Sequence, residues 1–134
     1  MNRKYIGFAM KDGCHVKGAD KGIEVINKHF KINKIIEIEK KDTDLETVIV
    51  NDLKLANSVN EIQNNNELPI TLGGDHSLAI GSIAGSAKNN KNLGVIWIDT
   101  HPDSNTNKTT TTFGTYATNI NNEGSWQVSG ISAN

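Results

Sequence analysis

Leu93-Gly94-Val95-Ile96-Trp97-Ile98-Asp99-Thr100-His101-Pro102-Asp103 is an apolar run that ends in two carboxylates bracketing an imidazole. Its apolar part is short and rich in β-branched and aromatic side chains, the pattern of a strand buried on both faces. Such strands belong to parallel sheets. In open α/β sheets the ligand crevice lies beyond the carboxyl ends of the strands, where Asp99, His101 and Asp103 fall. If the backbone stays extended, alternation puts all three on one side. Two carboxylates and an imidazole converging on one point suit a cation; the competing reading is a solvated polar loop.

Leu68-Pro69-Ile70-Thr71-Leu72-Gly73-Gly74-Asp75-His76-Ser77 is a second short apolar run, ending in a Gly-Gly turn followed by Asp, His and Ser. Adjacent strands lie about 4.8 Å apart. If this strand neighbours the Leu93 strand, as strands joined by one crossover helix often do, His76 arrives at the same rim and four ligands meet. Here too a plainer reading stands beside the sharp one. Gly73-Gly74 makes a tight strand-to-helix turn, with Asp75 and Ser77 as helix caps. A phosphate cradle is disfavoured, because Asp75 at the helix start opposes an anion and no Lys follows. Cys14-His15 reads as a plain loop pair rather than a metal or nucleophile pair, and His29 as a surface residue near a helix end.

Outward from these two runs the chain alternates strand and helix. Tyr5–Met10 is a short first strand, and Ile23–Phe30 a helix with an apolar stripe of Ile23, Val25, Ile26 and Phe30. Lys34–Glu39 alternates as a strand. Asp52 caps a helix through Asn64 that buries Leu53, Leu55, Val59 and Ile62 and stops at Asn64-Asn65-Asn66. Leu78 to Ala87 is a helix whose Gly81, Ala84 and Gly85 let it pack close to the sheet, and the Leu93 strand closes a right-handed β-α-β unit. After Asp103 the chain turns rich in Asn, Thr, Ser and Gly. We read residues 104–112 as a site loop and 113–134 as a divergent, poorly ordered tail with a weak helical stripe over 113–120.

Length and charge bound the partners. A chain of 134 residues is one modest α/β domain, able to bury roughly two thirds of its unfolded surface. The formal net charge of −1, with Lys and Glu interspersed, suggests neither nucleic acid nor a membrane surface as partner. No stretch has the length of a transmembrane helix, and the apolar run after Met1-Asn2-Arg3-Lys4 is too short for a signal peptide. The single cysteine, Cys14, fits a reducing compartment, so a cytoplasmic location is expected. The sequon Asn107-Lys108-Thr109 then carries no meaning.

Gly73-Gly74-Asp75-His76-Ser77 followed by Asp99-Thr100-His101-Pro102-Asp103-Ser104-Asn105-Thr106 resembles the paired signature of the arginases, within the ureohydrolase family. Gly13 to Ile26 also resembles their N-terminal glycine-rich loop and following helix, so the resemblance covers about residues 5–112. Thr100 stands where the family usually has Ala. The Asn-Thr pair after Asp103 leans toward arginase rather than agmatinase.

The resemblance implies a three-layer α/β/α fold on a parallel sheet, truncated relative to the family, with 1–112 as the arginase-like part. It also implies a binuclear Mn²⁺ site that hydrolyses a guanidinium group, in arginases L-arginine to L-ornithine and urea, and is compatible with a homo-oligomer. His76, Asp99, His101 and Asp103 match metal-ligand positions, Asp99 as the bridge. Asn105 and Thr112 match positions that hold the amino-acid end of the substrate. Carboxylate and imidazole donors suit Mn²⁺, and a metal pair activates water for attack on a planar carbon. The departures are equally specific. The family's His near the scissile group appears here as Tyr116, so no catalytic side chain is assigned. The Asp-x-Asp pair and the guanidinium-gripping Glu of the family's second half have no counterpart after Asp103. The expectation is therefore an arginase-like hydrolase with a partial metal site and impaired or absent activity in this chain. The alternative is a non-catalytic remnant that binds metal weakly or serves as an interaction module.

Overall fold

Ile6 and Phe8, two residues apart on the first strand, are completely buried, while Gly7 between them faces the other way. That alternation organises the molecule, here a computed structural model that describes residues 1–14, 17–99, 118–120 and 126–128. The strand, β1, spans Arg3–Phe8 and sits in the middle of a three-stranded parallel sheet of order β2-β1-β3, flanked by β2 (Lys34–Ile36) and β3 (Leu68–Gly73). On one face, a Cβ added at Gly7 would meet Ile23 at 3.0 Å and Ile32 at 3.3 Å, which puts helix α1 (Lys21–His29) against the sheet there. On the other face, Ile6, Phe8, Met10 and Ile36 pack with Val48, Leu55 and Val59 of helix α2 (Asp44–Asn64). Helix, sheet and helix make the three layers expected from the sequence.

The boundaries differ from the sequence reading for identifiable reasons. β1 begins at Arg3 rather than Tyr5, because the β3 ladder starts at Leu68 and gives Arg3 and Lys4 partners in Leu68 and Pro69. β2 ends at Ile36 rather than Glu39. Its partner Phe8 is the last residue of β1, and beyond it the Glu39 backbone turns to α2: Glu39 N–H donates to Asn51 Oδ1 (2.9 Å) and its carbonyl accepts from Asn51 Nδ2 (2.8 Å). In α1 only Ile23 is fully buried, while Val25 is 56 % exposed. Two residues are 200° of helix turn, so Val25 points away from the sheet. Phe30 lies just past the helix and packs edge-on against Tyr5, ring centroids 4.3 Å apart.

Asp52 caps no helix. α2 starts eight residues earlier, at Asp44, where Thr43 and Glu46 form a reciprocal capping box: Thr43 Oγ1 accepts the Glu46 N–H (3.2 Å) and the Glu46 side chain accepts the Thr43 N–H (3.2 Å). The Thr-x-x-Glu spacing is legible in the sequence and outranks a lone Asp. Leu55 and Val59 are buried as expected, but Leu53, 200° from Leu55, is 60 % exposed. The Asn-rich stop holds: Asn66 adopts φ 57°, the left-handed conformation Asn tolerates, and Glu67 N–H closes on the Ile62 carbonyl at 3.1 Å.

Helix α3 runs Leu78–Ala87, as its sequence indicates, but its small residues face α2 and not the sheet. A Cβ on Gly81 would stand 2.6 Å from the Asp52 carbonyl oxygen, and one on Gly85 would stand 2.4 Å from that of Ala56. Bare Cα atoms let the two helices approach at backbone distance.

The largest correction concerns Leu93–Asp99. It joins no ladder among the described residues, and Ile96 and Ile98 are 90 % and 93 % exposed. A strand is buried on both faces only with neighbours beside it and layers over it, whereas among the described residues β3 pairs with β1 alone. The expected adjacency of the Leu68 and Leu93 strands is therefore not formed. Further on, at the end of the stretch whose spacing suggests a weak helical stripe, β4 (Thr118–Ile120) pairs antiparallel with β5 (Trp126–Val128). Among the described residues no helix is long and apolar enough to cross a membrane.

Candidate metal centre

The sheet order reverses at β1: the chain leaves β1 through α1 on one face to reach β2, and returns through α2 on the other face to reach β3. The carboxyl ends of β1 and β3 thus flank a topological switch point, the place where open α/β sheets hold ligands. His76 lies three residues past the end of β3, at this point.

The turn that presents His76 is tied to the end of β1 and the loop after it by three hydrogen bonds. Gly74 N–H donates to the Phe8 carbonyl (2.9 Å) and Asp75 N–H to that of Met10 (2.9 Å). Gly13 N–H donates to Asp75 Oδ2 (2.8 Å). The other carboxylate oxygen of Asp75 accepts the Ser77 N–H (2.9 Å), so both of its oxygens are engaged, and the residue is buried. Gly74 is required: a Cβ there would fall 1.9 Å from the Met10 carbonyl oxygen. Gly73-Gly74 thus makes the strand-to-helix turn, whereas Asp75 ties Gly13 to Ser77 and is not the cap of α3. Ser77 stands at the N-cap position of α3 but makes no side-chain capping bond, and its buried Oγ has no hydrogen-bond partner.

His76 itself points outward. Its Nδ1 lies 3.0 Å from Asp99 Oδ2, with the imidazole side chain 41 % exposed and the carboxylate 17 %. The Trp97 ring stacks on the imidazole at 4.9 Å between centroids and 21° between planes. Two of the four expected metal ligands are thus brought together although their segments are not paired strands. Trp97 was not singled out in the sequence, though the signal was present: it sits two residues before Asp99, on the same side of an extended chain.

An imidazole nitrogen and a carboxylate oxygen 3.0 Å apart match the separation of neighbouring ligands around an octahedral ion with bonds of about 2.1 Å. The donor chemistry fits a divalent ion of the manganese type. Among the described residues no group of three or more His, Cys, Asp or Glu side chains is gathered to hold a metal. His101 and Asp103, the other expected ligands, lie outside the described residues, as do Asn105, Thr112, Tyr116 and His15.

An α/β domain with a candidate ligand pair at the switch point of a parallel sheet defines the class, and comparison with known proteins narrows it. The Arginase family model matches residues 8–131, and the chain belongs to the arginase family. It is 51 % identical over 65 residues to arginase from Bacillus subtilis, a match covering 48 % of this chain and 22 % of that one. The crystal structure of the Bacillus subtilis arginase superposes with a TM-score of 0.71 at 35 % identity, covering 82 % of this chain and 42 % of that one. An Entamoeba histolytica arginase solved in complex with L-ornithine gives a TM-score of 0.73 at 27 % identity, covering 84 % and 46 % respectively. The 134 residues thus span less than half the length of these relatives.

Proposed function

We propose that the carboxyl end of this sheet is the N-terminal share of an arginase-type manganese centre acting on a guanidino substrate, L-arginine in the first instance. The supporting observation is the contact of His76 Nδ1 with Asp99 Oδ2 at the switch point, in a chain whose family is named for that activity. Bound Mn²⁺ supplies Lewis-acid activation of a water for hydrolysis.

This chain's residues hold and orient. His76 would offer an imidazole nitrogen and Asp99 carboxylate oxygens as ligands. Trp97 stacks on the imidazole and restricts its rotation. Asp75 fixes the backbone on both sides of His76 through Gly13 and Ser77. His101 and Asp103 are proposed as the further ligands, and Asn105 and Thr112 as contacts for the amino-acid end of the substrate. The 134-residue sequence contains no Asp after Asp103, so this donor set alone is expected to hold metal weakly and turn over slowly.

The test is urea release from L-arginine with Mn²⁺. The chain alone is expected to run at least about a hundredfold below Bacillus subtilis arginase, since misplaced or missing positioning groups cost factors of that order. Its residual activity should vanish in Asp99→Asn. Turnover that is unaffected by Asp99→Asn would overturn the assignment.

A further inference from the structure

Asp52 lies mid-way along α2, 4 % exposed, and faces α3. Its Oδ1 accepts the Gly81 N–H at 3.2 Å, and its Oδ2 is buried with no hydrogen-bond partner. Gly81 admits the carboxyl: a Cβ there would stand 2.8 Å from Oδ1. Among the described residues no cation pairs with it. α3 carries no charged residue from Leu78 to Ala87. On α2 and the segments around it, Lys54 is paired with Glu39, Lys40 with Asp12 and Asp44, and Lys11 with Asp20. The charged group acting on Asp52 is another acid, Asp75, whose two oxygens accept the Gly13 and Ser77 N–H groups.

We propose that Asp52 is a proton-controlled latch between α2 and α3: protonated, it lets the helices close at backbone distance, and ionised, it weakens that contact. The inference does not depend on the manganese reading, because no metal enters it. The physical cause is that burial penalises the charged form most, pushing the carboxyl up to about 8, with the Gly81 hydrogen bond opposing and Asp75 adding to the rise. The folded state therefore keeps a proton that the unfolded chain loses near pH 4. Closure is favoured in acid and lost progressively as pH climbs toward 8.

The test needs only the folded chain. The Asp52 carboxyl carbon is followed by NMR from pH 3 to 10, and hydrogen exchange of the α3 amides is measured alongside. The expected result is an Asp52 midpoint near 8. The equilibrium constant for opening α3 should rise about tenfold per pH unit between pH 5 and 8, level off above, and lose that slope in Asp52→Asn. An Asp52 carbon that titrates near 4, or a slope that survives in Asp52→Asn, would overturn the latch. If Asp52→Asn does not fold, the carbon titration of the parent chain decides alone.

Discussion

Replacing Gly74 by Ala is expected to be among the most damaging single changes in the chain. The added methyl would fall 1.9 Å from the Met10 carbonyl oxygen, well inside van der Waals contact, and the obstacle is backbone rather than a flexible side-chain tip. To make room, the turn after β3 must separate from the loop after β1. That endangers the bonds from Gly74 N–H to Phe8 and from Asp75 N–H to Met10, each 2.9 Å. Overpacking of this kind costs about 1–3 kcal/mol, and each hydrogen bond lost adds about 0.5–1.5 kcal/mol. The sum, about 2–6 kcal/mol, is a large part of the total stability of a domain this size. Gly22→Ala is the matched control: it lies in α1, a Cβ there meets nothing within 4 Å, and helix propensity predicts a gain of about 0.5–1 kcal/mol. Urea unfolding of the two variants, followed by circular dichroism, should move the midpoints in opposite directions. A Gly74→Ala midpoint equal to that of the parent would refute the account of how the His76 turn is held.

Thr43→Ala should cost about 0.5–2 kcal/mol by removing the capping box of α2, whereas Asp52, the residue that reads as a cap in the sequence, should show none of that behaviour. Asp52→Asn should stabilise the chain at pH 8. The carboxyl's rise from 3.8 to about 8 sets a ceiling of about 5–6 kcal/mol on what is lost by then, and an unpartnered amide takes back about 1–3 kcal/mol. The same substitution should give no gain near pH 4, and thermal melts at the two pH values check the sign. Leu55→Ala, at a fully buried position, should cost about 2–5 kcal/mol in urea unfolding, while Leu53→Ala, 60 % exposed on the same helix, should stay within about 0.5 kcal/mol.

The fold was legible where periodicity was strong and local. The Leu78–Ala87 helix, the Leu68 strand and the Asn stop of α2 follow from apolar spacing and turn chemistry. The start of α2 was readable too, but the Thr43/Glu46 box lies in a charged stretch that looks like a strand ending. Which face α3 would bury was not readable: small residues announce close packing but not the partner, and only the three-dimensional path shows that α2 is nearer than the sheet. Leu93–Ile98 has every local mark of a buried strand. Burial, however, is a property of neighbours, and those come from elsewhere in the fold. At the site, residue type and position relative to β3 sufficed to bring His76 and Asp99 into one hypothesis. Asp75's bond to Gly13 spans 62 residues, and no local pattern encodes it.

The manganese site proposed at His76 and Asp99 stands or falls on metal binding by the folded chain. Its most direct measurement is Mn²⁺ binding by electron paramagnetic resonance, titrated against the folded chain alongside thermal melts. Binding that favours the folded state should raise the melting temperature with Mn²⁺ concentration and weaken in acid as protons compete for imidazole. It should be lost in His76→Asn and Asp99→Asn and kept in Glu24→Ala, whose side chain is 75 % exposed and engages Lys28 on α1. A melting temperature indifferent to millimolar Mn²⁺, or binding that survives both site substitutions, would contradict the account.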